Sequence, residues 1–391
     1  MTIAGPRLKL ALLTTDSREL LKAYGRAEPE FGTAPQALMH GLASLPEVEV
    51  HVVSCIRKTV EAPAKLAENI FFHSLHVRKF GWMRTGYQGC IRAVRHKLRK
   101  IQPDIVHGQG TELDCAMNAV FSGFPNVLTI HGNMAELARM FRARIGSFGW
   151  MAARLENYAL KRTAGVFCNS AYTEDLVKPR ARRVWRVPNA VRQEFFAATR
   201  QPCGSGRCVL LNVGLISPRK RQVELLDVAR NLRQQGLDFE LQFIGSARPD
   251  TPYGAAFLEK LKPMAAEGFA CFVGIKMGDE LIRSLDEAAA MVHFPAEESF
   301  GLVVAEALAR ELKFFGARLG GISEIVAGVP EAELFSADYW PGLTQAIAAW
   351  IRRGAHRAPG AAQAMRHRYH PEVIARRHLE IYREVLHSRS G

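Results

Sequence analysis

Short apolar runs alternate with helix-length segments along almost the whole chain, and the alternation occurs twice. In the first half, 8–14, 48–54, 105–107, 126–130 and 165–169 read as strands. Helical patterns over 34–45, 86–100 and 148–160 lie between them. In the second half, 208–214, 239–244, 270–273, 290–294 and 313–317 read as strands, separated by helical 223–234, 257–266, 279–289 and 302–310. Strands separated by helices cannot form tight hairpins, so they pair in parallel in a sheet covered on both faces. A chain of 391 residues is too long for one ordinary core. The expected fold is therefore α/β, with two doubly wound Rossmann-like domains facing a central cleft at the carboxyl ends of their strands. The expected boundaries are a first domain over 1–198, a linker over 199–207, and a second domain over 208–369. Gln201-Pro-Cys-Gly-Ser-Gly-Arg207 supplies the linker composition, and an Arg-rich helical segment spans 370–391.

Composition narrows the class. With 48% apolar and 23% charged residues and no low-complexity tract, the chain reads as globular rather than disordered. No apolar run approaches the roughly 18 residues of a membrane helix. The opening run 8–13 carries Lys9 and breaks at Thr14-Thr15-Asp16, as a first strand does and a signal peptide does not. Seven scattered cysteines with no Cys-x-x-Cys pair point to reduced thiols in the cytoplasm and give no spacing for zinc.

The net charge of +14 is unevenly spread. Residues 1–198 hold 28 Lys plus Arg against 16 Asp plus Glu, a balance of +12, whereas the remainder holds 24 against 22. Between Glu68 and Asp104 stand Arg78, Lys79, Arg84, Arg92, Arg95, Lys97, Arg99 and Lys100 with no acid, interleaved with Trp82, Met83 and Tyr87. Such a stretch can lie on an anionic membrane or bind an anionic acceptor; a solvated helix face with a basic loop is the plain alternative. No nucleic-acid-binding motif accompanies the charge, so nucleic acid is not an expected partner.

The richest segment for chemistry is Pro295-Ala-Glu-Glu-Ser-Phe-Gly-Leu-Val-Val-Ala-Glu306. Glu298 stands just before a Phe300-Gly301-Leu302 turn and Glu306 about one turn into the following helix. A strand-to-helix handover leaves open N–H groups and the positive end of the helix dipole, which attract an anion. Two acceptor-only carboxylates beside an anion site suit a ligand with both phosphates and hydroxyls, such as a nucleotide sugar. Further candidates are Gly214 with Arg219 and Lys220 after it, His131 at the end of an apolar strand, and the Gly32-Thr33 turn.

Taken together these segments resemble the retaining glycosyltransferases of family four, which have the two-domain GT-B fold. Glu298 to Glu306 resembles their Glu-x7-Glu motif. Ile130-His131-Gly132 is similar to their strand-end His-Gly, and Val187-Pro188-Asn189-Ala190-Val191 to their interdomain Pro-Asn-Gly-Val. Val213-Gly214 through Pro218-Arg219-Lys220 resembles the donor-phosphate loop, and Gly320-Gly321-Ile322-Ser323-Glu324 their Gly-Gly-x-x-Glu. The resemblance implies that His131, Lys220 and Glu298 carry the chemistry. His131 would contact the donor sugar, and Lys220 and Arg219 would neutralise the departing diphosphate. Glu298 would accept from the sugar and Glu306 from the ribose. Backbone groups at Gly214, Phe300, Gly301 and Leu302 would meet phosphate and sugar, and the main chain near Ile275 the base. Gly32 and Thr33 would form the acceptor-side loop. The helical 370–391 segment would cross back to the first domain. Leu215 replaces the Arg usual after the glycine of the phosphate loop, so Arg219 or Arg221 would have to compensate.

The implied activity is hexosyl transfer from a UDP- or GDP-sugar co-substrate to a hydroxyl acceptor, in polysaccharide or glycolipid synthesis. No cofactor is expected. No metal is expected either, because there is no Asp-x-Asp loop or cluster with metal-ligand spacing. The expected setting is cytoplasmic, with a lipid-linked or anionic acceptor and contact with the anionic inner face of the membrane. The rival reading is a non-catalytic nucleotide-sugar-binding protein with a donor-phosphate site degraded at Leu215.

Overall fold

A computed structural model describes residues 7–197 and 206–390. Most of the linker expected over 199–207, namely 199–205, lies outside the described residues. The chain divides into two compact units, one of residues 1–192 with 370–391 and one of 193–369.

The first unit is built on eight strands: β1 (Leu8–Leu13), β2 (Val48–Ile56), β3 (Lys65–Ala67), β4 (Ile70–His76), β5 (Ile105–Gln109), β6 (Asn126–Ile130), β7 (Val166–Cys168) and β8 (Val184–Arg186). Their order is β3-β4-β2-β1-β5-β6-β7-β8, parallel throughout except for β3 against β4. The order reverses between β1 and β5, the point where doubly wound sheets gather ligands. β5 and β6 are buried along their full length, the polar His107, Gln109 and Thr129 included. Helix Pro371–Ser390 belongs to this unit. Its Ile374, Ala375, Leu379 and Tyr382 join the core beside helix Thr33–Ala43. The stretch 16–30 contains a short helix, Ser17–Leu21, capped by the Asp16 carboxylate accepting from the Arg18 N–H. The β3–β4 hairpin was not expected at all. Its seven-residue strand mixes apolar and polar residues and lacks the uninterrupted run that marks the inner strands.

The second unit has six parallel strands: β9 (Cys208–Val213), β10 (Phe239–Ile244), β11 (Ala270–Gly274), β12 (Ala290–His293), β13 (Lys313–Ala317) and β14 (Ala332–Phe335). Their order, β11-β10-β9-β12-β13-β14, reverses between β9 and β12. Among the described residues no helix is long and apolar enough to cross a membrane.

Candidate functional site

In the second unit the adjacent ends of β9 and β12 each lead into a loop, and the two loops are tied together. β9 runs through Gly214 into the turn carrying Arg219 and Lys220, which ends at helix Gln222–Gln234. β12 ends at His293 and continues through Pro295 to Glu297 and Glu298. The Ala296 N–H donates to the Arg219 carbonyl at 2.8 Å, and the Arg219 guanidinium pairs with Glu297 at 3.0 Å. Lys220 forms an ion pair with Glu298, and the Glu298 carboxylate lies 3.0 Å from His293 Nε2. All three of these side chains are buried or nearly so.

Burying charges is costly unless they are paired, and here each charge is answered. Burial lowers the Lys220 pKa against the pull of Glu298. Burial alone would raise that of Glu298, but the Lys220 charge and the His293 hydrogen bond overcome it and hold the carboxylate ionised. Burial, reinforced by the Lys220 charge, keeps His293 neutral. A neutral imidazole reaches a carboxylate only through its N–H, so the proton sits on Nε2. Nδ1 is then a buried acceptor with no hydrogen-bond partner among the described residues.

Beside this group, helix Leu302–Ala309 begins at Gly301, whose φ of +95° is a left-handed conformation that favours glycine. Gly301 supplies no side-chain cap, so the first N–H groups and the dipole of the helix are left to meet another partner. A side chain at Gly301 would start 3.4 Å from Glu298 Cγ, and one at Gly214 would start 3.9 Å from Lys220 Cε. Gly320, with φ of +48°, packs so closely that a Cβ would lie 1.8 Å from the Glu298 carbonyl oxygen. Gly320 therefore braces the loop that presents Glu298. Phe300 and Glu306 are buried, and Leu302 is half-buried.

The structure thus brings Gly214, Lys220, Arg219, Glu298 and Gly301 together. Ile275 is exposed beyond β11, two strands from β9. Leu215 is also exposed, at 53%. Of the two arginines that could replace a cation there, Arg221 is turned away onto the Ala337 carbonyl and Asp338. Arg219 stays within 4.0 Å of Glu298.

In the first unit His131 follows β6 and is held by a chain of neutral groups. Its Nε2 lies 3.1 Å from Gln109 Oε1, which must accept, so His131 carries its proton on Nε2 and exposes the Nδ1 lone pair. Nδ1 is buried and has no partner among the described residues. Loss of hydration lowers the His131 pKa to about 4. The Gln109 amide nitrogen reaches His107 Nε2 at 3.1 Å, and His107 Nδ1 meets the Tyr382 hydroxyl at 2.6 Å. His107 is fully buried. Glu112 accepts from the Gly132 N–H at 2.8 Å and fixes the turn after His131. Gly32 and Thr33 are exposed at the start of helix Thr33–Ala43, where Gly32 has an ordinary φ of −57°.

Sequence reasoning missed His293, Gln109 and Glu112. His293 closes an apolar strand just as His131 does, so the same signal was present. Gln109 and Glu112 could be found only once β5 and β6 were known to be neighbours. The fold also gathers Cys55, Cys90 and Asp114, whose side-chain donor atoms lie within 4.8 Å of one another. Their wide separation in sequence gave no sign of it. Hydrogen bonding to Cys90 and burial hold the Cys55 thiol protonated.

Residues 36–195 match the family described as Glycosyltransferase Family 4, and 199–363 match Glycosyl transferases group 1. No curated protein sequence matches the chain. Among solved structures, sucrose-phosphate synthase from Thermosynechococcus elongatus superposes with a TM-score of 0.77 at 16% identity, covering 98% of this chain and 100% of its own. Anabaena HepE in complex with UDP and glucose gives 0.69 at 15%, covering 97% and 100%. The lipopolysaccharide outer core galactosyltransferase WaaB, in its apo form, gives 0.68 at 14%, covering 96% and 100%.

Proposed function

Because the chain belongs to the family-4 glycosyltransferases of the GT-B fold, we propose that it transfers a hexosyl group, with retention, from a nucleoside-diphosphate sugar to a hydroxyl acceptor. The observation that carries this reading is the buried Lys220–Glu298–His293 group beside the uncapped start of helix Leu302–Ala309. In the free protein Lys220 and Glu298 neutralise each other. A diphosphate arriving at the helix start takes over Lys220, and the released Glu298 carboxylate accepts from sugar hydroxyls. Positive charge on the leaving diphosphate's side then comes from Lys220, Arg219 and the helix dipole rather than from a metal ion. Glu306 meets the ribose, the main chain around Ile275 the base, and Phe300 and Leu302 the sugar-phosphate by their backbones. His131 offers a neutral ring to a sugar hydroxyl, and Gly32 and Thr33 line the acceptor side. The HepE complexes, which hold UDP, UDP and glucose, or UDP-glucose, favour uracil over guanine. The acceptor reading, glycolipid or polysaccharide at the inner face of the membrane, rests on the basic first unit.

Thermal unfolding with UDP, GDP and ADP, each with EDTA, tests the donor half. A nucleotide present at 100 times its Kd adds about 2.7 kcal/mol to stability. A response to UDP that EDTA leaves intact supports the reading, and the absence of any nucleotide response would overturn it. The exposed Leu215 favours one rival, a binding protein that cannot turn over its donor. UDP binding without release of sugar, to any acceptor or to water, would select that rival.

A further inference from the structure

Three neighbouring strands of the first unit, β4, β2 and β1, send their carboxyl ends to one edge of the sheet, and basic residues converge there. Lys22 follows β1 by way of the short helix Ser17–Leu21. Arg57 and Lys58 stand directly after β2, and Lys79 and Arg84 follow β4. These five cations line a hollow of about 750 Å³ to which no carboxylate contributes. Glu19, the acid nearest by contact, is buried beneath. It forms ion pairs with both Lys22 and the Arg57 guanidinium, and also accepts from the Arg57 N–H at 2.8 Å and the Tyr24 hydroxyl at 3.1 Å. It therefore fixes one side of the hollow and offsets a single charge. Lys58, Lys79 and Arg84 form no ion pair among the described residues.

The hollow is aromatic as well as basic. Trp82 is buried and anchored by its Nε1–H donating to the Val77 carbonyl at 3.1 Å, and the Arg57 guanidinium lies 4.3 Å from its ring centre. Lys58 lies 5.1 Å from the Tyr24 ring. On the rim, Phe80 is 87% exposed. Phe80 gives the basic hollow an apolar rim against which an apolar part of a ligand can pack. Guanidinium forks and ammonium points around an unanswered hollow match phosphate oxygens.

We propose that this hollow binds a ligand carrying a phosphate next to an apolar group. In the glycosyltransferase reading, on which only this last assignment rests, that ligand is the sugar acceptor. The phosphate can belong to a lipid headgroup or to a soluble phosphate ester, and the two sources can be separated. Inorganic pyrophosphate probes the anion site alone. Vesicles of phosphatidylglycerol and phosphatidylcholine, against phosphatidylcholine alone, probe a headgroup with its apolar tail.

The decisive comparison uses two triple variants that remove the same charge. Lys58→Ala/Lys79→Ala/Arg84→Ala empties the hollow, and Arg92→Ala/Arg95→Ala/Arg99→Ala strips the exposed face of helix Gln88–Ile101. The hollow triple should lose roughly 100-fold in affinity for whichever probe binds, as three surface cations at roughly 1 kcal/mol each imply. The helix-face triple should change by less than about threefold. Binding of pyrophosphate alone identifies a soluble phosphate ester, and binding of anionic vesicles identifies a headgroup. Equal losses in the two triples, or no binding of either probe by the wild type, overturn the site. The UDP thermal response, measured on the same samples, tests the donor site and the folding of each variant separately. Failure of the donor reading therefore cannot be mistaken for failure of this one.

Discussion

The two candidate sites treat charge in opposite ways. At the β9–β12 edge of the second unit, Lys220, Arg219, Glu297 and Glu298 are paired with one another, and His293 supplies a hydrogen bond to the same carboxylate. Around His131 in the first unit, the contacts fixing the ring run through neutral groups, Gln109, His107 and Tyr382. That unit's excess of cations sits on its surface instead. The difference follows from the work each site is proposed to do. A site that stabilises a departing diphosphate needs charge kept in place before the ligand arrives, and buried charge survives only when paired. A site that orients a hydroxyl needs a fixed lone pair, which a neutral chain supplies without the cost of burying an ion.

The sharpest way to break this contrast is to remove one charge and one neutral group. Lys220→Ala should lower turnover of the nucleotide sugar roughly 10²- to 10³-fold, the cost of deleting one preorganised electrostatic partner. Gln109→Ala leaves a neutral ring less well oriented and should cost about tenfold. Steady-state rates on purified protein decide it. Losses of equal size would mean that His131 depends on its neutral chain as heavily as the diphosphate site depends on Lys220.

Gly320→Ala tests whether the charged group depends on its backbone support. The left-handed φ and the 1.8 Å approach of a Cβ to the Glu298 carbonyl should together cost more than about 3 kcal/mol, read as a fall in the urea midpoint. A neutral outcome would show that the loop carrying Glu298 can shift freely.

Acid should separate the units as well. Burial lowers His131 and His378 to about 4, and burial also holds His107 well below the usual imidazole range. Their folded pKa values lie below the unfolded value of about 6.5. Stability from keeping them neutral is therefore complete above about 6.5 and is lost as pH falls toward 4. Each contributes on the order of 1 kcal/mol between pH 7 and 5. Glu298, held well below the usual carboxylate range, stays ionised throughout that window. Urea titrations at pH 7 and 5 should show the first unit losing the more stability. Imidazole NMR resonances of His131 titrating near 6.5 would sink this expectation.

Much of this was legible in the sequence, for reasons that are physical. Strands buried on both faces, such as β6 and β13, and the apolar-polar alternation of half-buried β10 both leave a clear pattern, and all three bounds match the sequence reading. Glu298, Gly301 and Gly320 were legible because the chain there turns from strand to helix within a few residues, and such turns constrain residue type strongly. The network behind His131 was not legible. Gln109 and Tyr382 are 273 residues apart in the chain and meet only through His107, so no local pattern links them. His293 was passed over because one histidine closing a buried strand is as compatible with packing as with function. The basic stretch 78–100 was recognised, but not that Lys79 and Arg84 turn toward Arg57 while Arg92, Arg95 and Arg99 face water. The register of a fold decides such partitions, and composition does not carry it.

The smallest predicted effect bears most directly on how the neutral site is built. The Gln109 amide nitrogen can only donate, so His107 Nε2 accepts and the His107 proton sits on Nδ1, donating to the Tyr382 oxygen. Tyr382→Phe removes that acceptor and leaves a buried N–H unanswered, a cost of about 1–3 kcal/mol if nothing else moves. The chain has a way to reduce this cost. His107 can shift its proton to Nε2, where the Thr129 hydroxyl at 2.7 Å accepts it, and the Gln109 NH₂, now facing an N–H, relieves the clash by turning its oxygen toward His107 and its NH₂ toward His131. His131 must then move its own proton from Nε2 to Nδ1. A hydroxyl on helix Pro371–Ser390 would thereby determine whether His131 presents a lone pair or a proton. The expected result is a stability loss of only about 1 kcal/mol, with the His131 tautomer reversed in ¹⁵N spectra. A full loss of about 3 kcal/mol with the His131 tautomer unchanged would show that the neutral chain is rigid rather than relayed.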